Sequence, residues 1–300
     1  MPHPPIAVPE VGRGREKEIA KTLESMRTAS DSIMDSKIDT IIVISPHAPS
    51  LGGMLTVNGK GELKGDLGRF GARKAAVGFT GGEALARGIC DEARLAGIGA
   101  LLADDRAVGG GVYREAAAGL DHGAVVPLYF VQESIAKKGV TPPELVVISV
   151  AFLSNAALYK FGGCIAKAVQ KSGAAAALIT SGDLSHKLTE DGPYGYDPTG
   201  PKFDEYIIDC IKKRDVKRLL NTDEMMLERA AQCGFYGLLM TYGALGETAE
   251  YGAQSRVTAG FGEGGKDASA GANAGAAASA PVVLSYEGIF GVGYAIARLF

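Results

Sequence analysis

The chain has 300 residues, 46% of them hydrophobic, with 31 basic and 34 acidic side chains and a formal net charge of −3. That is enough apolar material for a large core, and the charge balance is too even to attract nucleic acid or an anionic membrane. No apolar run approaches the ~18 residues a membrane helix needs. The opening MPHPPIAVPE has neither the basic nor the apolar region of a secretion signal, so a cytoplasmic location is expected. Cys90, Cys164, Cys210 and Cys233 are scattered without a CxxC pair and sit in helix-like contexts, which reads as reduced thiols rather than a disulfide frame.

Residues 1–14 are rich in Pro and Gly and carry His3. From Arg15 to Met34, apolar residues at helical spacing (Ile19, Leu23, Met26, Ile33) alternate with charges and predict an amphipathic helix. Asp39–Ser45 follows as a strand. The continuous apolar and β-branched run Thr40–Ile44 suits a strand buried on both faces of a parallel sheet, and Ser45-Pro46 stops it just before His47. Residues 50–82 are glycine-dense and predict loops and short hairpins that form a rim or lid. A helix is expected over Glu83–Ala96, a short strand over Ile98–Leu102, and a loop at DDRAVGGG. In AVVPLYFV, after Leu120-Asp121-His122-Gly123, Pro127 favours the first turn of a buried helix over a strand.

Leu145–Val150 and Ala175–Thr180 read as two further buried strands around a helix bearing Leu158, Phe161, Ile165 and Val169. The second strand ends in SGDLSH, and the irregular loop DGPYGYDPTGP follows. Helices are expected at Phe203–Lys213, Asp215–Leu220, Glu224–Gly234 and Phe235–Leu245. The Gly/Ala/Ser tract at about 252–280 is too poor in bulky residues to offset its ordering entropy and reads as a flexible insertion. Val282–Tyr286 and Gly291–Ala297, joined around Glu287-Gly288, then complete the same core. The expected class is α/β: a single domain over 1–300, with a central mixed, largely parallel sheet covered by helices and a metal site at the carboxyl edge of the strands.

All four histidines lie beside chain breakers: His3 in PHPP, His47 in SPHAP, His122 in LDHG and His186 in GDLSH. Four of four at loops or strand ends points to a shared site. Two imidazoles and a carboxylate, with open positions opposite, is a donor set for non-haem Fe(II). Glu287, between apolar strands and beside a glycine, is the leading carboxylate, because an acid there is costly unless paired or bound to a cation. Asp183 and Asp121 are its rivals, or else orient imidazoles through the second ring nitrogen. Asp183, Ser185 and His186 are too close in sequence for a hydrolytic triad, and no GxSxG elbow is present. GGG at 109–111 and GEGG at 262–265 lack the strand, helix and lysine of a phosphate loop.

Taken together, PHPP, SPHAP, LDHG, SGDLSH with DGPYG, and SYEGIFGVGY resemble, in order and over nearly the whole chain, class III extradiol ring-cleavage dioxygenases of the LigB type. The nearest resemblance is to the branch associated with AMMECR1 domains (the AmmeMemoRadiSam group). The resemblance implies Fe(II), or alternatively Zn(II), held by His3, His47 and Glu287, with His186 as acid–base residue and His122 as a second active-site histidine. It implies a catechol-type substrate and O2, with the carboxylates Asp183 and Asp121 and the hydroxyl of Ser185 in support. Tyr194, Tyr196 and Lys187 are the candidates for the substrate pocket. A homodimer, or pairing with a small subunit or an AMMECR1-type protein, is the expected assembly. Two departures stand out. Family members place a strand before the first histidine, whereas His3 here follows only Met1-Pro2, so the expectation is either a truncated start or a His3 held by Pro4-Pro5 alone; the 252–280 tract is the other. A Memo-like metal-binding or regulatory protein is the second reading. Memo-type relatives carry a cysteine among the metal-site residues, where the final motif here offers Glu287 instead. A metal-dependent hydrolase or amidase on the same ligands is the third.

Overall fold

A computed structural model describes residues 1–51, 53–103, 119–250 and 280–299, with side chains described only to 246 in the third segment. The loop expected at 104–111, and all but the last residue of the 252–280 tract, lie outside the described residues. The strands in chain order are β1 (Thr40–Ser45), β2 (Leu55–Asn58), β3 (Glu62–Leu67), β4 (Ala72–Thr80), β5 (Ala100–Leu102), β6 (Glu144–Ser149), β7 (Ala176–Thr180), β8 (Val282–Ile289) and β9 (Val292–Arg298). The helices are α1 (Pro9–Gly12), α2 (Ala20–Asp35), α3 (Glu83–Leu95), α4 (His122–Lys138), α5 (Asn155–Ser172), α6 (Thr199–Lys213), α7 (Val216–Leu220), α8 (Glu224–Ala230) and α9 (Phe235–Glu250).

The central sheet runs β5-β2-β6-β1-β7. β1 lies parallel to both β6 and β7, β2 is parallel to β5, and only the β2–β6 pair is antiparallel. The fold is the mixed, largely parallel α/β sheet that the apolar runs imply. β1 is buried at all six positions. Its alternate side chains feed two cores: Ile42 and Ile44 pack with Val146, Ile148, Phe161 and Phe235 on one face, and Ile41 and Val43 with Leu145, Val147, Val125 and Phe130 on the other. Burying each such side chain is worth roughly 1.5–3 kcal/mol, so a charge or glycine anywhere in β1 would be severely disruptive.

Two elements differ from expectation. β2 joins the main sheet although it lies in the glycine-dense stretch; the rest of that stretch is the β3–β4 hairpin. At the other end, the β8–β9 turn falls at Phe290-Gly291, both with positive φ, as two-residue hairpin turns require. Glu287 is therefore within β8, paired with Tyr294, and not at the turn. This hairpin is a separate two-stranded sheet. Among the described residues, no helix is long and apolar enough to cross a membrane.

Candidate metal centre

Because β1, β6 and β7 are parallel, their carboxyl ends share one edge, and the histidines are delivered there. His47 follows β1. The segment 181–186 follows β7. His122 is the first residue of α4, whose N-cap is Asp121: one carboxylate oxygen accepts the N–H groups of Gly123 (2.7 Å) and Ala124 (3.2 Å) and the hydroxyl of Ser45 (2.6 Å). Asp121 thus ties the end of β1 to the start of α4. Gly123 makes that approach possible, since a Cβ there would meet Ser45 Oγ at 2.5 Å. The His47 and His122 rings stack with centroids 4.2 Å apart.

His3 is the most firmly held of the four. It is 2% exposed, and its backbone N–H donates to Asp183 Oδ1 at 2.9 Å. Gly182 N–H donates to the Met1 carbonyl, and the Met1 nitrogen donates to the Thr180 carbonyl. Residues 1–3 therefore extend along the end of β7, which corrects the expectation that Pro4-Pro5 alone would hold them.

The tautomer of His3 follows from its partners. Pro127 sits inside α4 rather than in its first turn. It has no N–H to return to the Gly123 carbonyl four residues earlier. The Ser181 hydroxyl donates to that carbonyl instead, at 2.5 Å. Its proton is thereby committed, so Ser181 Oγ accepts from His3 Nδ1–H at 2.9 Å. That leaves the lone pair of His3 on Nε2, which lies 3.1 Å from His47 Nε2. Two nitrogens each ~2.0–2.1 Å from one ion are separated by roughly 2.9–3.4 Å at octahedral to tetrahedral angles. The ligand atoms of His3, His47 and His122 all lie within 4.8 Å of one another. These residues fit a metal ion.

Beside them stands a second group. His3, Asp183 and Cys233 also offer ligand atoms within 4.8 Å of one another, with Cys233 Sγ 3.7 Å from His3 Nε2. The thiol is brought in by a backbone-on-backbone contact. A Cβ on Gly182 would lie 2.1 Å from the Gly234 Cα, and Asp183 O accepts the N–H groups of Cys233 and Gly234.

A family model described as the catalytic LigB subunit of aromatic ring-opening dioxygenase matches residues 1–266. The chain belongs to the LigB family. It is 32% identical over 299 residues to Protein CA_C1420 of Clostridium acetobutylicum, a match that covers all of this chain and 56% of that relative's length. Among solved structures it is similar to the uncharacterized protein JW3007 of Escherichia coli K12, at 20% identity and a TM-score of 0.48, over 73% of this chain and 81% of that one.

The electrostatics of this LigB-family site separate the histidines by role. Burial drives the His3 pKa down to about 4 against the attraction of Asp183. Burial also lowers His47, and burial with the neighbouring His47 lowers His122. All three are neutral imidazoles at neutral pH, the form that binds metal. His186 behaves oppositely. Burial alone would lower its pKa, but the carboxylate of Asp183 beside it outweighs burial, and the net shift is upward. Its Nδ1–H donates to the Ala231 carbonyl at 2.6 Å, and its Nε2 lies 3.7 Å from Asp183 Oδ2. Asp183 Oδ2 thus sits between His186 and His3, whose Nε2 is 3.9 Å away.

The other expected site residues fall elsewhere. Glu287 is not brought to the histidines. Its Oε2 accepts the N–H (2.8 Å) and hydroxyl (2.7 Å) of Thr22, in the first turn of α2. There it satisfies an orphan donor at the positive end of the helix dipole. Ser185 is structural: its N–H donates to the buried carboxylate of Asp204 (2.7 Å), and its hydroxyl donates to the Ala230 carbonyl. Asp204 also accepts the Tyr286 hydroxyl, and burial raises its pKa to about 6. Tyr194, 64% exposed, stands edge-on to His186 at 5.7 Å, and Phe70, from the turn between β3 and β4, stands likewise against His122 at 5.3 Å. Tyr196 is exposed on the same loop as Tyr194. Lys187 is held through its backbone, with its N–H on Ser185 Oγ and its carbonyl on the Asp197 N–H. Sequence reasoning missed Cys233, Ser181 and Phe70. The signal for Cys233 was the pairing of two glycines, in SGD and CGF, that permits the close approach.

Proposed function

We propose that this LigB-family chain is an Fe(II)-dependent extradiol dioxygenase that inserts O2 into a catechol-type ring and cleaves it beside the diol. The observation that carries this reading is the convergence of three neutral imidazoles whose ligand atoms lie within 4.8 Å of one another, two of them, on His3 and His47, at a separation suited to one ion. His3, His47 and His122 would hold the iron, with His122 rather than Glu287 as the third ligand. Bound there, the metal would supply a Lewis-acidic centre for the diol and a redox partner for dioxygen. The protein's own part is proton handling and orientation. His186, fixed through Nδ1–H on Ala231, presents Nε2 as the atom that takes a proton from a diol hydroxyl, and the charge of Asp183 steadies the resulting imidazolium. The same nitrogen returns the proton as the ring opens. Phe70 and Tyr194 flank the histidines with aromatic faces suited to a planar ring. Tyr196 and Lys187 belong to the outer rim of that pocket. Assembly as a homodimer, or with a small subunit or AMMECR1-type partner, would be read from the molar mass of the loaded protein.

The test is anaerobic loading with Fe(II), followed by oxygen uptake and product absorbance with a catechol panel. Uptake equal to product is expected. Iron bound at one per chain with no uptake on any catechol would refute the activity.

A second reading, a Memo-like metal-binding protein without ring cleavage, is favoured by one observation: the Cys233 thiol beside His3 and Asp183. A thiolate favours Zn(II) or Cu(I) over Fe(II). Cys233→Ser separates the two readings. Dioxygenase turnover survives the substitution in the first; in the second, metal affinity falls at least tenfold and no catechol is turned over by either protein.

A further inference from the structure

Away from the histidines, a cavity of about 140 Å³ lies between edge strand β7, hairpin β8–β9 and helices α2, α6 and α9. Its origin is a divergence of backbones. The chain after β7 is stitched to the start of β9 by the Leu184 N–H on the Gly293 carbonyl and the Gly293 N–H on the Ser185 carbonyl. Further along, β9 does not pair with β7, and the strand residues lining the gap include three alanines, Ala177 from β7 and Ala295 and Ala297 from β9. Larger residues, among them Ile207, Leu238 and Leu284, form the walls. None of the four histidines lines this space; the backbone at Gly182 and Gly234 separates it from Asp183 and Cys233.

The lining is mostly apolar, and most of its polar groups are partnered: the Met1 nitrogen donates to the Thr180 carbonyl, and the Thr180 and Thr241 hydroxyls bond each other and the Gly237 carbonyl. Ser32, from α2, is 4% exposed; it lines the cavity, and its hydroxyl has no hydrogen-bond partner among the described residues. A buried hydroxyl without a partner is uncommon and costly, and it asks for an explanation. The volume supplies one, because apolar cavities of about 150 Å³ remain dry and take up benzene-sized molecules.

The geometry points to a second binding site, for a small, uncharged, mostly apolar molecule of about benzene size carrying one hydrogen-bonding group, which Ser32 Oγ would meet. The alanines give the site its room and the hydroxyl gives it selectivity. A cation is disfavoured, since the described lining offers no acid and already carries Arg298 and the Met1 amino group, and an anion would have to give up its hydration in a lining that is mostly apolar.

The probes are benzene and phenol, titrated into metal-free protein and followed by methyl NMR. Both should shift the methyls of Leu178, Ile207 and Leu238, and phenol should bind about fivefold more tightly, the worth of one net hydrogen bond. Ser32→Ala should leave benzene binding intact and abolish the preference for phenol. Ala295→Leu should abolish both, and Ala177→Val serves the same purpose should the leucine variant not fold. Absence of shifts at these methyls at the solubility limit of both probes would overturn the proposal. So would unchanged binding in the filled variants, or an unchanged phenol preference in Ser32→Ala.

Discussion

Ser181→Ala isolates the link between the fold and the metal centre. Ser181 is 1% exposed, and its hydroxyl joins two groups that have no water to fall back on, the Gly123 carbonyl freed by Pro127 and the Nδ1–H of His3. Deleting it strands a buried acceptor and a buried donor, each at about 1–3 kcal/mol, so the variant should lose roughly 2–5 kcal/mol of stability. The more telling effect is on metal affinity. Without the acceptor at Nδ1, nothing holds the proton away from Nε2, and loss of such a supporting bond typically weakens metal binding by about 10–100-fold. Anaerobic competition of Fe(II) and Zn(II) against a chromophoric chelator, paired with urea unfolding, measures both. Ser185→Ala is the control: its hydroxyl serves the Ala230 carbonyl and the Lys187 N–H, so stability should fall with metal affinity unchanged. Metal affinity within twofold of wild type in Ser181→Ala would refute the tautomer relay, whatever the loss of stability.

Glu287→Gln should cost about 1 kcal/mol by weakening the charged contact with the α2 terminus and should leave metal stoichiometry at the wild-type value; loss of metal would place Glu287 back among the ligands. Gly182→Ala drives a Cβ to 2.1 Å from Gly234, and a destabilisation of roughly 3 kcal/mol or more is expected in thermal unfolding, since neither backbone can yield. In metal-free protein, His3 has a pKa of about 4, against ~6.5 for a free histidine. The unfolded chain therefore takes up the proton first, so the contribution of His3 is fully present above pH 6.5 and is lost as pH falls toward 4, on the order of 3 kcal/mol in all. Asp204, raised to about 6, works in the opposite sense, its cost growing as pH rises from ~3.8 to about 6. The informative quantity is thus the wild-type stability minus that of His3→Gln, which should shrink between pH 6.5 and 4; a pH-independent difference would contradict the buried neutral imidazole.

The sheet was legible because burial on both faces writes itself as uninterrupted apolar runs, and Thr40–Ile44, Leu145–Ile148 and Ala176–Thr180 all do so. The positions of the histidines followed, since a strand that ends in a breaker announces its carboxyl end. β2 did not, because LTVN is only four residues in a glycine-rich setting and gains its place by pairing with β6, a long-range contact. Glu287 shows the limit of local pattern. A glutamate among apolar strand residues needs a partner, but the sequence does not say whether that partner is a cation or a helix terminus; the packing of α2 against β8 decides it. Asp121 stands one residue before a histidine and Asp183 three residues before one, yet they do different work. One caps a helix, and the other lies between two imidazoles, a distinction that only the tertiary path of the chain creates. The sequence around Cys233 reads as a helical context for a reduced thiol, whereas the residue occupies the break between α8 and α9.

X-ray absorption at the iron edge of the Fe(II)-loaded protein reads the donor set directly. Three imidazole scatterers are expected, falling to two in His47→Ala and unchanged in Glu287→Gln. A spectrum without imidazole scattering, or one that changes with Glu287 and not with His47, would contradict a centre built from His3, His47 and His122.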